Sequence, residues 1–251
     1  MADQGAETPV ELDGVVHKVV ATDPQGVADL VANLSWTVLD EHDLLEYLQR
    51  CASLSVRLVS GADHASITVT SPGRGESFTV WTDEVTVAVD NAQYAAGQGP
   101  CLEAVRTGEV VRVDVASDAT RWPEFTTDAE AIGVRSFLAA PIGVGEHCAG
   151  ALNLFSTQQT SFADDDLLLM IVDYAERTIT DYTRLREALD LVEQLQQAMA
   201  TRAPIEQAKG ILMAEHRITA EQAFEMLRKQ SQDTNTKLNA LAVAFVATHT
   251  T

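Results

Sequence analysis

The first periodic stretch of the chain is helical. From Val27 to Leu58, the residues Leu30, Val31, Leu34, Val38, Leu44, Leu45, Leu48, Cys51, Ala52 and Leu58 recur at spacings of three, four and seven, the mark of an apolar helix face. Near Asp40 the segment LDEHD predicts a break and a second start, because acidic groups in a first turn face the positive end of the helix dipole. The period then shortens. Residues 66–71, 77–81, 85–89, 109–115, 136–144 and 149–156 are short apolar or β-branched runs divided by turn residues such as Ser71, Pro72 and Gly73, and these predict six strands of one antiparallel sheet. Pro100 to Arg106 and Thr126 to Ala131 predict brief helical connectors between strands.

A long closing helix is predicted from about Ala163 to Met199. Ser161 and Asp164 form a capping-box-like start, so the run Asp164, Asp165, Asp166 is explained by the helix dipole rather than by a metal. Within this helix Leu185, Ala188, Val192, Leu195 and Met199 keep the 3-4-3-4 spacing of a coiled-coil seam, which predicts a parallel homodimer. Ala203 and Pro204 predict its end. Three short amphipathic segments follow: Ile205, Ala208, Ile211, Leu212; then Ala223, Phe224, Leu227, opened by a capping box of Thr219 and Gln222; then Leu238, Leu241, Ala242, Phe245, Val246. The fold class is therefore α+β: an antiparallel sheet flanked by helices, then a coiled-coil helix and a C-terminal three-helix bundle. The expected boundaries are a mobile leader over 1–25, a sheet domain over 26–183, a linker helix over 184–200 and the bundle over 201–251.

Charge divides the chain the same way. The net charge is -20, from 17 Lys or Arg against 37 Asp or Glu, yet residues 184–251 hold eight of each. All the excess negative charge precedes them, so only the neutral C-terminal part is suited to a phosphate backbone. Three distant cysteines without CxxC spacing fit a reducing compartment. The polar start lacks the features of a signal peptide and no apolar run is long enough to span a membrane, so a cytoplasmic protein with no membrane partner is expected. Six scattered histidines without HxxxH or HExxH spacing predict no metal site. No nucleophile elbow, P-loop or dinucleotide glycine pattern is present, so no catalytic residue is assigned and no enzymatic activity is expected.

Two stretches resemble known families. YAAGQGPCLEAVRTGEVVRVDVASDATRWPEF, with AIGVRSFLAAPI, GALNLFS and SFADDDL, is similar to a GAF domain of actinobacterial regulators, over about residues 35–183. RAPIEQAKGILMAEHRITAEQAFEMLRKQSQDTNTKLNALA resembles an ANTAR domain, the RNA-binding module of transcription antitermination regulators, over about residues 195–248. The resemblance implies a dimer that binds paired RNA stem-loops and so keeps a terminator helix from forming, with the GAF-like half tuning this in response to a signal. One departure is Arg217, where the family often has glycine in a turn; a non-glycine residue there must avoid positive φ or bear strain.

Candidate RNA-binding residues are Arg202, Gln207, Lys209, Gly210, Arg228, Ser231, Asn235 and Lys237. A glycine inside a helix costs up to about 1 kcal/mol against alanine, so Gly210 asks for a reason: either a phosphate or base approaching bare backbone, or close helix packing. The aromatics of this part, Phe224 and Phe245, sit at core-type positions. Cys101 at a helix start, with Trp122 and Phe125, forms a candidate sensory pocket for a small molecule whose identity the sequence does not show; the alternative is ordinary packing. Neither the NKxxF signature of cyclic-nucleotide-binding GAF domains nor a bilin attachment context is found. The alternative function is a DNA-binding regulator whose three helices enter a major groove, against which stand the zero net charge and the few basic residues on any one helix.

Overall fold

The structure, a computed structural model, describes residues 24–70, 77–144, 147–159, 162 and 165–249. Most of the expected leader, the turn at Ser71 to Gly73, and the cap formed by Ser161 and Asp164 lie outside these residues. The elements in chain order are α1 (Pro24–Leu34), α2 (Glu41–Leu58), β1 (His64–Thr70), β2 (Ser77–Trp81), α3 (Glu84–Ala96), α4 (Pro100–Thr107), β3 (Val111–Asp114), α5 (Pro123–Ile132), β4 (Ser136–Val144), β5 (His147–Ser156), α6 (Asp165–His216), α7 (Ala220–Asp233) and α8 (Leu238–His249). They form two compact units, 1–184 and 185–251, with the boundary inside α6.

In the first unit the five strands run in the order β2-β1-β5-β4-β3, and every neighbouring pair is antiparallel. Successive side chains of a strand point to opposite faces, and here both faces are covered. Ile67, Val69, Leu138, Ala140, Ile142, Leu152 and Leu154 pack with Leu44, Tyr47, Leu48 and Cys51 of α2 and with Leu168, Ile171, Ala175 and Ile179 of α6. Val111, Val113, Phe137, Ala139, Ala151 and Phe155 of the other face pack with Val89 of α3, Cys101 and Ala104 of α4, and Phe125 and Ala129 of α5. Phe137 sits edge-on to Phe125 and to Phe155, with centroids 5.8 and 4.5 Å apart. Strand β5 meets β1 so closely that a Cβ on Gly150 would lie 1.9 Å from the Thr68 carbonyl oxygen; only glycine fits there.

Two elements differ from the sequence expectation. Residues 85–89, VTVAV, belong to helix α3 and not to a sixth strand. Asp83 caps this helix by accepting the N–H groups of Val85 and Thr86, and the residues it buries, Thr86, Val89, Asp90, Ala92 and Gln93, repeat at three and four. Local β-branched alternation is overridden by a cap and by a helical buried stripe. Likewise α6 does not stop at Ala203 but continues through Pro204 to His216. A proline here removes one donor, that to the Ala200 carbonyl, and residues 200–203 are exposed, so water can take that acceptor. The break near Asp40 and the connectors α4 and α5 fall where the sequence predicts, with Asp40 accepting the Asp43 N–H. Helix α1 is described from Pro24, ahead of the expected Val27.

In the second unit Ala208 and Leu212 of α6, Ala223 and Leu227 of α7 and Ala242 of α8 are buried together, with Ile205, Ile218, Leu238, Phe245 and Val246 packed around them. Three of the five central residues are alanine, which brings the helices close. The capping box forms as expected: Thr219 Oγ1 accepts the Gln222 N–H, and Gln222 Oε1 accepts the Thr219 N–H. Arg217 takes the left-handed conformation at φ 54°, so this arginine bears the strain that glycine would avoid.

Candidate nucleic-acid interface

Buried stripes fix which side chains of the bundle face outward. On α6, Ala208 and Leu212 point inward, which leaves Arg202, Gln207 and Gly210 exposed. Lys209 stands at the margin: its side chain keeps only 17% of its exposure, and its Nζ donates to both carboxylate oxygens of Glu206, at 2.9 and 3.1 Å. Arg202 Nε lies 3.7 Å from the same carboxylate. The hydrogen bond from Lys209 holds the Glu206 carboxyl below the usual glutamate range, with Arg202 adding to it. Gln207 and Lys209 are two apart on one helix and so do not share a face. A Cβ on Gly210 would meet nothing within 4 Å, so no packing inside the unit asks for glycine.

The turn between α7 and α8 gathers several of the remaining candidates at one end of the bundle. Ser231 Oγ donates to the Thr236 carbonyl at 2.6 Å, across Asn235, which has φ 49°. Asn239 Nδ2 donates to the Thr201 carbonyl at 3.2 Å. That bond ties the start of α8, two residues after the exposed Lys237, to the turn of α6 that carries Arg202. Arg228 lies one turn before Ser231 on α7 and donates from Nε and Nη2 to Glu225 Oε2 at 3.1 and 2.8 Å.

Phe224 is not in the core, contrary to its expected role. It is 36% exposed, because Ala223 and Leu227 already fill the inward stripe of α7 and Phe224 is turned about 100° from Ala223. It shares a face with Arg228 and Ser231 at spacings of four and seven, the pattern by which it could have been found. Phe245 does pack against the core. Sequence reasoning also missed Glu206 and Glu225; opposite charges three or four apart were the available signal.

In the first unit Cys101, Trp122 and Phe125 are brought together in the second core, at 3%, 5% and 0% exposure. A ligand that reached them would have to displace packed side chains. The Cys101 N–H is capped by Gln93 Oε1 at 2.9 Å. Beside them lies a buried polar cluster that the sequence did not reveal, since Asp90 falls at the end of an expected strand. Asn153 Nδ2 donates to Ser66 Oγ at 3.1 Å, and Gln93 Nε2 lies 3.5 Å from Asp90 Oδ1. Asp90 Oδ2 and Asn153 Oδ1 have no hydrogen-bond partner among the described residues. Burial pushes the Asp90 carboxyl up to about 6, against hydrogen bonds from Ser66 and Trp81. Among the described residues no group of His, Cys, Asp and Glu could hold a metal ion, and no helix is long and apolar enough to cross a membrane.

A sheet domain covered on both faces is followed by a long helix and a small bundle whose polar residues face outward. Residues 41–172 match the GAF domain family and residues 193–246 the ANTAR domain. The chain belongs to the GAF domain family and, with its C-terminal ANTAR domain, is a GAF-ANTAR transcription antitermination regulator. The ANTAR domain is its RNA-binding part and the GAF domain its signal-sensing part. Solved structures similar to it include the GAF domain of an Acinetobacter phosphoenolpyruvate-protein phosphotransferase, 14% identical over 64% of this chain and 93% of that one, with a TM-score of 0.46. GAF3 of a Synechocystis protein in its photoproduct state is 13% identical over 59% of this chain and 98% of that one, at 0.44. A free methionine-R-sulfoxide reductase from Neisseria meningitidis, in complex with its substrate, is 17% identical over 73% of this chain and 98% of that one, at 0.42. No curated protein matches the chain.

Proposed function

We propose that the protein acts as a homodimer in the cytoplasm, where each ANTAR domain binds one stem-loop of a paired RNA element and a small molecule read by the GAF domain tunes that binding. The observation that carries this reading is the apolar row on α6. Helix α6 is buried in the first unit as far as Tyr182; beyond it Val192, Leu195 and Met199 are 49%, 56% and 72% exposed. A row of large aliphatics on one helix face is stable in water only when covered. With the half-buried Leu185 and with Ala188, its a and d spacing suits a second copy of the same helix in parallel. That pairing places two RNA-binding units side by side, which is what recognition of two stem-loops asks for. Arg202, Lys209, Arg228, Ser231, Asn235 and Lys237 are assigned to phosphate and base contacts, with Gly210 open to close approach. RNA loops are read by splayed bases stacked on aromatic or guanidinium planes, and Phe224 joins Arg228 as such a plane. The role is regulatory and not enzymatic.

The test is binding of the full chain to an RNA with two hairpins, to the same RNA with one hairpin deleted, and to duplex DNA of equal length. The two-hairpin RNA should bind tightest and duplex DNA should fail to compete. Preference for duplex DNA would replace the RNA reading with that of a DNA-binding regulator.

A further inference from the structure

Three cations of the bundle, Arg202, Lys209 and Arg228, are held by carboxylates of their own helices. Glu206 takes both the Lys209 ammonium, at 2.9 and 3.1 Å, and the Arg202 guanidinium, at 3.7 Å. Glu225 takes two donors of Arg228, at 3.1 and 2.8 Å. Pairs of this kind on an exposed helix contribute little to folding, so stability is a weak account of them. Each carboxylate occupies the position that a phosphate oxygen would take beside the same cations. Any polyanion that binds here must first displace it and then lie beside its charge.

Resting on the RNA-binding reading, we propose that Glu206 and Glu225 are specificity-determining residues: they withhold Arg202, Lys209 and Arg228 from partners that offer phosphate alone and yield them to a stem-loop that adds base contacts. A flexible polyanion must displace the carboxylates and gains only counterion release. A hairpin loop must displace them too, but gains stacking and base-edge hydrogen bonds. The surface is thereby neutral toward bulk nucleic acid, in line with the balanced eight basic and eight acidic residues of 184–251.

The experiment uses full-length Glu206→Gln, Glu225→Gln and the double variant, with Asp233→Asn as an exposed acidic control on α7. Binding to a two-hairpin RNA and to polyuridine of equal length is measured at several salt concentrations. The double variant should bind polyuridine about tenfold tighter at low salt, with a salt slope steeper by about 0.7 for each additional phosphate it neutralises. Its affinity for the two-hairpin RNA should rise only about twofold to threefold, so discrimination narrows. The Glu206→Gln effect should vanish when Arg202 and Lys209 are both replaced by alanine. Equal increases on both RNAs, or increases no larger than those of Asp233→Asn, overturn the inference. A loss of hairpin affinity also overturns it and makes Glu206 a positioning residue for Lys209. If the wild type binds neither RNA, the RNA reading falls first and this inference with it; if the wild type prefers the hairpins and the variants leave that preference intact, this inference alone falls.

Discussion

Lys209 shows how a single side chain serves both a fold and a surface. Its stem lies along the bundle while its ammonium reaches Glu206, the arrangement long basic side chains adopt at the edge of an apolar patch. Lys209→Ala should therefore cost about 0.5–1 kcal/mol of stability but weaken binding to a two-hairpin RNA and flatten its salt dependence by about one charge. Binding isotherms at several salt concentrations, with circular dichroism as a fold control, decide it; equal affinities and slopes return Lys209 to a packing role. Asp90 is the opposite case, a charge the fold would rather not hold. Its carboxyl titrates near 6 when folded and near 3.8 otherwise, so between those values the folded state holds more protons. Stability should then fall as pH rises from about 4 to about 6, and the whole penalty stands at pH 7. Asp90→Asn should raise stability at pH 7 by roughly 2–3 kcal/mol, the worth of two pKa units, and flatten the profile between pH 4 and 6. Urea unfolding followed by tryptophan fluorescence measures this; an unchanged profile would mean that another group titrates.

Among the elements, α6 carries the most separate duties. Its first turns close the sheet, its middle exposes the row at Val192 and Leu195, and its last turns supply Ala208 and Leu212 to the bundle core. Because the middle buries nothing within the described residues, substitutions there test association without touching either core. Replacing both Val192 and Leu195 with aspartate should leave the helical circular dichroism signal intact and convert the proposed dimer to monomer, since it would bury unpaired charge in the proposed seam. Light scattering that shows the same mass for variant and wild type would remove the seam assignment. Helix α3 is shaped from farther away. Its VTVAV run alternates like a strand, but Asp83 caps the helix and is itself held by His64 Nδ1 at 2.6 Å. A cap held by a residue 19 positions away cannot be seen in a local window.

On the scale of the whole molecule the two units differ in the size of their cores. The first has two large clusters, one on each face of the sheet, whereas the second has five central buried residues, three of them alanine. Smaller cores bury a smaller share of the chain and are less stable. Trp36, Trp81 and Trp122 all lie in the first unit, so their fluorescence reports on it alone, while helical dichroism reports on both. In urea the dichroism should begin to fall before the fluorescence changes, with the early loss corresponding to α7 and α8. Coincident transitions would show that the two units unfold as one.

The order of helices and strands outside residues 85–89, the break at Asp40, the connectors at Pro100 to Arg106 and Thr126 to Ala131, the Thr219 capping box and the spacing of the apolar row on α6 were legible in the sequence, because each rests on neighbours within about seven residues. Spacing, caps and turn residues act at that range. Tertiary structure alone decided the rest. It turned residues 85–89 into a helix, carried α6 past Pro204, sealed Cys101, Trp122 and Phe125 inside a core, and left Phe224 outside one. It also assembled Ser66, Asp90, Gln93 and Asn153 from two strands and a helix. These outcomes depend on which surfaces meet and on which polar groups find partners once water is gone. Such meetings are set by contacts between residues far apart in sequence, and a local pattern does not contain them.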